Sequence, residues 1–120
     1  MHPSGHYIVI SHFDKIRMYC ILSGDASGNH SKPITVHPYH HFPMKGTDEI
    51  KFSHGGHLFA VNDDENGVHL FKFFHGDRPE NYVFRGHENK VTSITWLEDD
   101  SGFITIGKDS KIAYWRLLDV

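Results

Sequence analysis

The feature that most constrains the fold is a series of short β-rich runs that recurs along the chain. In the C-terminal third, apolar and polar residues alternate with a period of two from Val91 to Trp96, as is typical of a half-buried strand. Two further runs follow at residues 103–106 and 111–115. Each is preceded by a turn rich in Asp, Gly and Ser, which tolerate the dihedral angles of a tight reversal. The segment therefore predicts three consecutive strands joined by turns.

The same order of strands and turns recurs upstream. Residues 68–71 align with residues 112–115 at a separation close to the roughly 40–45 residues of a repeated four-stranded unit. Residues 16–19 align with residues 68–71 at a somewhat larger separation, which the Gly- and Ser-rich loop at residues 22–33 accounts for. The predicted upstream strands cover residues 6–11, 15–21, 40–45, 49–52, 57–61, 68–73 and 81–84. The repeat predicts stacked copies of one small sheet.

The repeat divides the chain into three units of a single domain. Residues 1–45 form a partial unit with the Gly/Ser-rich loop, residues 46–85 a complete unit of four strands, and residues 86–120 a second partial unit. Pro38 and Pro43 restrict the strand near residues 40–45 to an outer edge, where a missing N–H is tolerated. The predicted fold is all-β, with about two and a half four-stranded antiparallel sheets.

Composition narrows the function classes. With 15 acidic and 12 basic residues the net charge is −3, and the basic residues are scattered, which argues against a nucleic-acid surface. The lone Cys20 excludes an internal disulfide and fits a reducing compartment. No apolar run approaches the about 18 residues of a membrane helix, and no signal-peptide pattern opens the chain. We therefore expect an intracellular protein that binds neither nucleic acid nor membranes.

The C-terminal unit resembles a WD (Trp-Asp) repeat, which is one blade of a β-propeller. Gly86-His87 stands ahead of the three strands, and the third strand ends on Trp115, although Arg116 follows where the family has Asp. In the family, a His in the loop leading into the blade bonds an Asp in a turn, and a strand hydroxyl and an aromatic N–H complete the network. The resemblance implies that His87, Asp109, Thr105 and Trp115 form this structural lock.

The resemblance also narrows the expected function. Residues 52–61 and 86–96 are similar to cilia- and flagella-associated WD-repeat proteins. This implies a non-catalytic scaffold of the axoneme, near inner-arm dynein or regulatory-complex attachment points, with tubulin or dynein-associated subunits as partners. Closed propellers need at least about four blades, so the remaining blades of a longer propeller are expected partners too. A general intracellular WD-repeat scaffold is the nearest alternative.

Candidate binding residues lie in the predicted loops and the proline-rich stretch. Tyr39, Phe74 and Arg78 are candidate partner-binding anchors, because aromatic residues and Arg dominate interface energetics. The loop candidates are residues 22–33, 62–67, 74–79 and 98–101.

A His-rich metal-dependent enzyme module is an alternative from a different class. The chain has 12 histidines, and three of them cluster at His37, His40 and His41. Adjacent strand residues point to opposite faces, so His40 and His41 cannot easily share one ion. The sequence contains no G-x-S-x-G, H-E-x-x-H or phosphate-binding glycine motif. We therefore expect no catalytic residue, no metal site and no cofactor.

Overall fold

The computed structural model describes residues 1–22, 35–73 and 81–117, and these residues form ten strands without a helix. The strands are β1 Tyr7–Ser11, β2 Lys15–Leu22, β3 Thr35–Pro43, β4 Ile50–Phe52, β5 Leu58–Asn62, β6 Gly67–Lys72, β7 Asn81–Arg85, β8 Val91–Trp96, β9 Gly102–Gly107 and β10 Ile112–Arg116. No helix that could cross a membrane is found in the three described ranges.

The strands form three antiparallel sheets in chain order. The first sheet has the order β1-β2-β3, the second β4-β5-β6-β7, and the third β8-β9-β10. Within each sheet, strands that follow one another in the chain pair antiparallel. The sheets do not close into a ring. The prediction of a partial β-propeller built from small antiparallel blades is confirmed.

The largest boundary difference concerns β3, which begins at Thr35 rather than near residue 40. It is an edge strand, as its two prolines require. Tyr19 pairs with Pro38 and Met18 with His40, so Tyr39 is the extra residue of a β-bulge. A second difference is Asn62, which is predicted in a turn but forms the last residue of β5.

Two hydrophobic cores hold the three sheets together. Every residue of β5 is buried, because alternate side chains enter opposite cores. The core between the first and second sheets contains Val9, Ile16, Met18, Phe59, Val61, Phe71 and Phe73. The core between the second and third sheets contains Leu58, Ala60, Val68, Leu70, Val91, Ile94, Trp96 and Phe103. The second sheet is therefore packed on both faces.

The two outer sheets leave apolar side chains exposed. Ile10 in the first sheet is 41% exposed, and Ile112 and Tyr114 in the third sheet are 73% and 55% exposed. Neighbouring apolar residues on an uncovered sheet face are typical of surfaces that pack against further protein.

Candidate structural lock and partner-binding surface

The third sheet and its preceding loop bring four polar side chains together. His87 lies in the connection from β7 to β8, Thr105 on β9, Asp109 in the β9–β10 turn and Trp115 on β10. Antiparallel pairing places Ala113 opposite Thr105, and Trp115 lies two residues further along β10 on the same face. The loop and the turn meet at one end of the sheet, where the Lys108 N–H donates to the Lys90 carbonyl at 2.9 Å.

These side chains form one continuous hydrogen-bond network. The Nδ1 atom of His87 lies 3.2 Å from Oδ1 of Asp109, and its Nε2 atom lies 2.7 Å from Oγ1 of Thr105. The Trp115 indole N–H donates to the same Thr105 hydroxyl at 2.8 Å. The side chains of His87 and Asp109 are only 2% and 3% exposed. The four residues singled out by the resemblance are thus joined in one chain of hydrogen bonds.

The position of the ring proton of His87 follows from which of its hydrogen-bond partners can only accept. An ionised Asp109 carboxylate can only accept, so Nδ1 of His87 must donate to it. In the neutral imidazole this leaves Nε2 as the acceptor for the Thr105 hydroxyl, whose oxygen in turn accepts from Trp115. Every donor therefore has an acceptor, as a buried polar cluster requires.

Two glycines make room for the network. A Cβ atom on Gly107 would lie 2.5 Å from Oδ1 of Asp109 and 2.6 Å from Nδ1 of His87. A Cβ atom on Gly86 would lie 2.8 Å from the Trp115 ring. Such distances are too short for carbon in van der Waals contact, so a larger residue at either position would displace the network.

The network holds Asp109 in its ionised form. Burial alone would raise the pKa of Asp109, but the backbone N–H groups of Glu88 and Lys111 and the side chain of His87 outweigh it and lower the pKa from 3.8 to about 2. The Glu88 N–H donates at 2.8 Å and the Lys111 N–H at 3.1 Å. The carboxylate thus ties the loop before β8 to the turn before β10.

This pKa shift predicts acid sensitivity. Because the folded pKa lies below the unfolded value, Asp109 contributes stability that is complete above pH 3.8 and is lost as the pH falls toward about 2. We expect Asp109→Asn to flatten the dependence of the melting temperature on pH in this window, measured by circular dichroism. An unchanged slope in the variant would contradict the assignment.

Asn62, the last residue of β5, binds the loop before β4, which contains no histidine. Its Oδ1 atom accepts from the N–H groups of Asp48 and Glu49, both at 3.0 Å. Its amide nitrogen donates to Oδ1 of Asp48 at 2.6 Å and to the carbonyl of Val91 at 2.7 Å. Asn62 is fully buried, and it joins the second sheet to the first strand of the third. Sequence reasoning missed this role; the signal was an Asn ending the apolar run of β5.

Asp63, in the acidic turn after β5, is not solvated. Asp63 is only 4% exposed, its Oδ1 atom accepts from the N–H groups of Glu65 and Gly67, and its Oδ2 atom lies 2.7 Å from Nε2 of His69. Burial by itself raises the pKa of Asp63, but these hydrogen bonds outweigh it and lower the pKa. Asp63 is thus a structural residue of the turn, because local backbone donors hold its charge.

Further polar contacts join neighbouring sheets at the opposite end. Nε2 of His2 lies 2.7 Å from the Gly56 carbonyl. The Trp96 indole donates to the Lys51 carbonyl at 2.9 Å, and the Asp100 carboxylate accepts from the N–H groups of His54 and Gly55. The packing of each sheet on the next is therefore set by directional bonds as well as by apolar burial.

The candidate partner-binding residues are not brought together in the described part of the chain. Tyr39 lies in β3 at the bulge. Phe74 and Arg78, and the loops at residues 23–33 and 74–79, lie outside the described residues. In the loop at residues 62–67, Asn62 and Asp63 are buried and Asp64 and Glu65 are exposed. Phe13 at the tip of the β1–β2 turn is 95% exposed. Sequence reasoning did not single out Phe13.

The described histidines do not converge on a common point. Across residues 1–22, 35–73 and 81–117, no group of three His, Cys, Asp or Glu side chains is placed to hold a metal ion. His40 and His41 are consecutive residues of β3. Their cross-strand partners on β2 are Met18 and Arg17, respectively.

Comparison with known proteins places the chain among WD-repeat sequences. It is 38% identical over 118 residues to cilia- and flagella-associated protein 57 A of Tetrahymena thermophila, a match that covers 98% of the chain and 8% of that relative. It is 33% identical over 117 residues to cilia- and flagella-associated protein 57 of Mus musculus, with coverages of 98% and 8%. It is 31% identical over 121 residues to WD repeat-containing protein 1 of Bos taurus, with coverages of 99% and 18%.

The matches cover nearly all of this chain but only a small part of each relative. No family model matches the chain. The chain spans only 8% of the length of the two ciliary relatives and 18% of the bovine one. The matches nevertheless cover nearly all of its residues, and the three antiparallel sheets have the form of propeller blades. The chain thus belongs to the WD-repeat β-propeller family, and it resembles a segment of a cilia- and flagella-associated WD-repeat protein.

Proposed function

We propose that the chain is part of a non-catalytic protein-binding scaffold of the ciliary or flagellar axoneme. The observation that carries the proposal is the 38% identity, across 98% of the chain, to a protein described as cilia- and flagella-associated. The finer proposal is a position near the attachment of inner-arm dynein or a regulatory complex, with tubulin or dynein-associated subunits as partners.

The geometry supports binding by turns on a rigid frame. The turns β1–β2, β5–β6 and β9–β10 lie at the same end of the sheets as the connections β3–β4 and β7–β8. Backbone hydrogen bonds join these segments: the Met44 N–H donates to the Asp14 carbonyl, and the Asp64 N–H donates to the Lys45 carbonyl. A rigid frame lowers the entropy lost when its loops bind a partner. Phe13 lies at this end and is 95% exposed, so we propose it as an aromatic anchor for a partner.

A general WD-repeat scaffold outside the cilium is the second candidate. It is favoured by the 31% identity to WD repeat-containing protein 1, which extends over 99% of the chain. Both candidates share the binding frame and differ in location and partners.

Localisation and partner recovery of the full-length protein separate the two candidates. We expect the tagged protein to remain with demembranated axonemes and to recover tubulin or dynein subunits after crosslinking. Phe13→Ser should reduce this recovery, because it removes an exposed aromatic anchor without touching a core. Val83→Ser, an exposed apolar change on β7, serves as the matched control. Exclusion of the protein from axonemes would contradict the ciliary proposal.

A further inference from the structure

The turn between β5 and β6 contains the only Asn-Gly pair of the sequence, Asn66-Gly67. An asparagine followed by glycine is chemically labile, because the glycine backbone nitrogen can attack the side-chain amide and no Cβ atom hinders its approach. The other asparagines precede residues with larger side chains, which are His30, Asp63, Tyr82 and Lys90. Asn66 is therefore the position at which this sequence is most prone to deamidation.

The turn requires both residues of this pair. Asn66 has a φ of 70°, in the left-handed region that asparagine tolerates better than most residues do. A Cβ atom on Gly67 would lie 2.9 Å from Oδ2 of Asp63 and 3.1 Å from Nη1 of Arg85. A larger side chain at the second position would therefore displace its neighbours. The geometry of the hairpin thus explains why a labile pair stands here.

Both reacting groups are held by hydrogen bonds in the folded chain. The Gly67 N–H donates to Oδ1 of Asp63 at 2.8 Å, and this bond is buried. The Asn66 side-chain amide donates to the Glu88 carbonyl at 3.1 Å. The Asp63 N–H donates to the Gly67 carbonyl at 3.1 Å, which closes the hairpin around the pair. The closed turn therefore engages the nitrogen and the amide that would have to react with each other.

The Asp63 carboxylate opposes the reaction most directly. The attack requires the Gly67 nitrogen to lose its proton, and the N–H group donates that proton to Asp63. A second negative charge beside the carboxylate would be repelled by it, and Asp63 is only 4% exposed, so water screens this repulsion little. The lowered pKa of Asp63 keeps the carboxylate ionised at neutral pH.

We propose that Asn66 is a site of spontaneous deamidation, and that the Asp63 carboxylate suppresses the reaction until the β5–β6 turn opens. In the open turn, the deprotonated Gly67 nitrogen attacks Cγ of Asn66. The Cγ–Nδ2 bond breaks, and ammonia leaves with a proton taken from water, which gives a five-membered succinimide.

Water then opens the succinimide ring and is the only co-reactant. Cleavage of the bond between Cγ of residue 66 and the Gly67 nitrogen gives aspartate. Cleavage of the bond between the main-chain carbonyl carbon of residue 66 and the same nitrogen gives isoaspartate, in which the chain continues through the former side chain.

Either product weakens the contact between the second and third sheets. Aspartate has no N–H group to donate to the Glu88 carbonyl and places a carboxylate beside it. Isoaspartate adds a carbon atom to the main chain inside the turn, so the two hydrogen bonds between Asp63 and Gly67 lose their register. Glu88 directly follows His87, so the change reaches the connection that carries the third-sheet network. This inference goes beyond the proposed scaffold role and does not depend on it.

Peptide mapping of the full-length protein by mass spectrometry tests the proposal. Native and guanidinium-unfolded samples are incubated at mildly alkaline pH, and the mass change from Asn to Asp is followed at Asn66 and at the exposed Asn89. In the unfolded protein, Asn66 should be modified faster than Asn89. In the native protein, the rate at Asn66 should fall at least about tenfold, because the reaction is confined to the open turn.

Two variants test the part played by the carboxylate. Asp63→Ala removes the acceptor of the Gly67 N–H and should raise the native rate at Asn66 toward that of the unfolded protein. His69→Gln changes the partner of the other carboxylate oxygen, Oδ2, and should leave the rate at Asn66 unchanged. Circular dichroism establishes that both variants are folded.

Hydrogen exchange of the wild type gives a test that needs no variant. The suppression of deamidation in the native protein should equal the protection of the Gly67 amide, since both report the same opening of the turn. A clear mismatch in either direction would overturn the proposal. Equal rates at Asn66 in folded wild type and folded Asp63→Ala would do the same, as would an unfolded rate at Asn66 no faster than that at Asn89.

Discussion

Replacing Asn62 with Leu is expected to lower the free energy of unfolding by about 3 kcal/mol, which is a large effect for one side chain. Leu has the same branched shape and the same number of heavy atoms as Asn, so the change removes hydrogen bonds without opening a cavity. The N–H groups of Asp48 and Glu49 lose their acceptor, and the Val91 carbonyl loses its donor. Each buried group left unsatisfied costs about 1–3 kcal/mol.

Hydrogen exchange of the full-length protein measures this effect locally. The amides of Asp48 and Glu49 should exchange faster in Asn62→Leu, together with those of β8, because Val91 belongs to the next sheet. Asn89→Leu, at an exposed position in the β7–β8 connection, is the matched control. Unchanged protection of both segments would show that Asn62 does not hold the sheets together.

The substitution Asn62→Asp is a second test of the role of Asn62. Asn62→Asp keeps an acceptor for the two backbone N–H groups but brings a second carboxylate to within 2.6 Å of Asp48. The hydrogen bond from Asn62 is also the largest cause of the lowered pKa of Asp48. We therefore expect Asn62→Asp to raise the pKa of Asp48 and to be less destabilising in acid than at neutral pH.

His87→Ala is expected to destabilise the third sheet by about 1–3 kcal/mol. The substitution leaves the Thr105 hydroxyl without its partner and removes one of the bonds that hold the Asp109 carboxylate. Chemical denaturation monitored by Trp115 fluorescence reports the loss, because the indole donates to the same hydroxyl.

Two further variants distinguish the loss of the hydrogen-bond network from a general loss of packing. Thr105→Val removes the shared hydroxyl while keeping a similar shape, and it should not add fully to His87→Ala in the double variant. His54→Ala, at an exposed histidine, should leave the stability within about 0.5 kcal/mol of the wild type. Full additivity of the first two changes would contradict a connected network.

Much of the fold could be predicted because its strands are local features. The runs at β8, β9 and β10 alternate apolar and polar residues, and short turns of Gly, Asp and Ser force consecutive strands to pair. The His87, Thr105, Asp109 and Trp115 positions were implied by the family resemblance. The start of β3 was missed, since prolines obscure an edge strand and a bulge shifts its register.

The amino-acid sequence by itself determined the β-rich repeat and the strand order, because period-two patterning and turn chemistry act between residues close in the chain. The four residues of the third-sheet network were implied by the resemblance to WD repeats. Only the tertiary structure decided that Asn62 and Asp63 are buried. The burial of Asn62 depends on a contact between sheets, its hydrogen bond to the Val91 carbonyl, whereas Asp63 is held by its own hairpin. A polar residue at the end of a strand is buried only where neighbouring residues offer hydrogen-bond partners, and otherwise it is exposed to water.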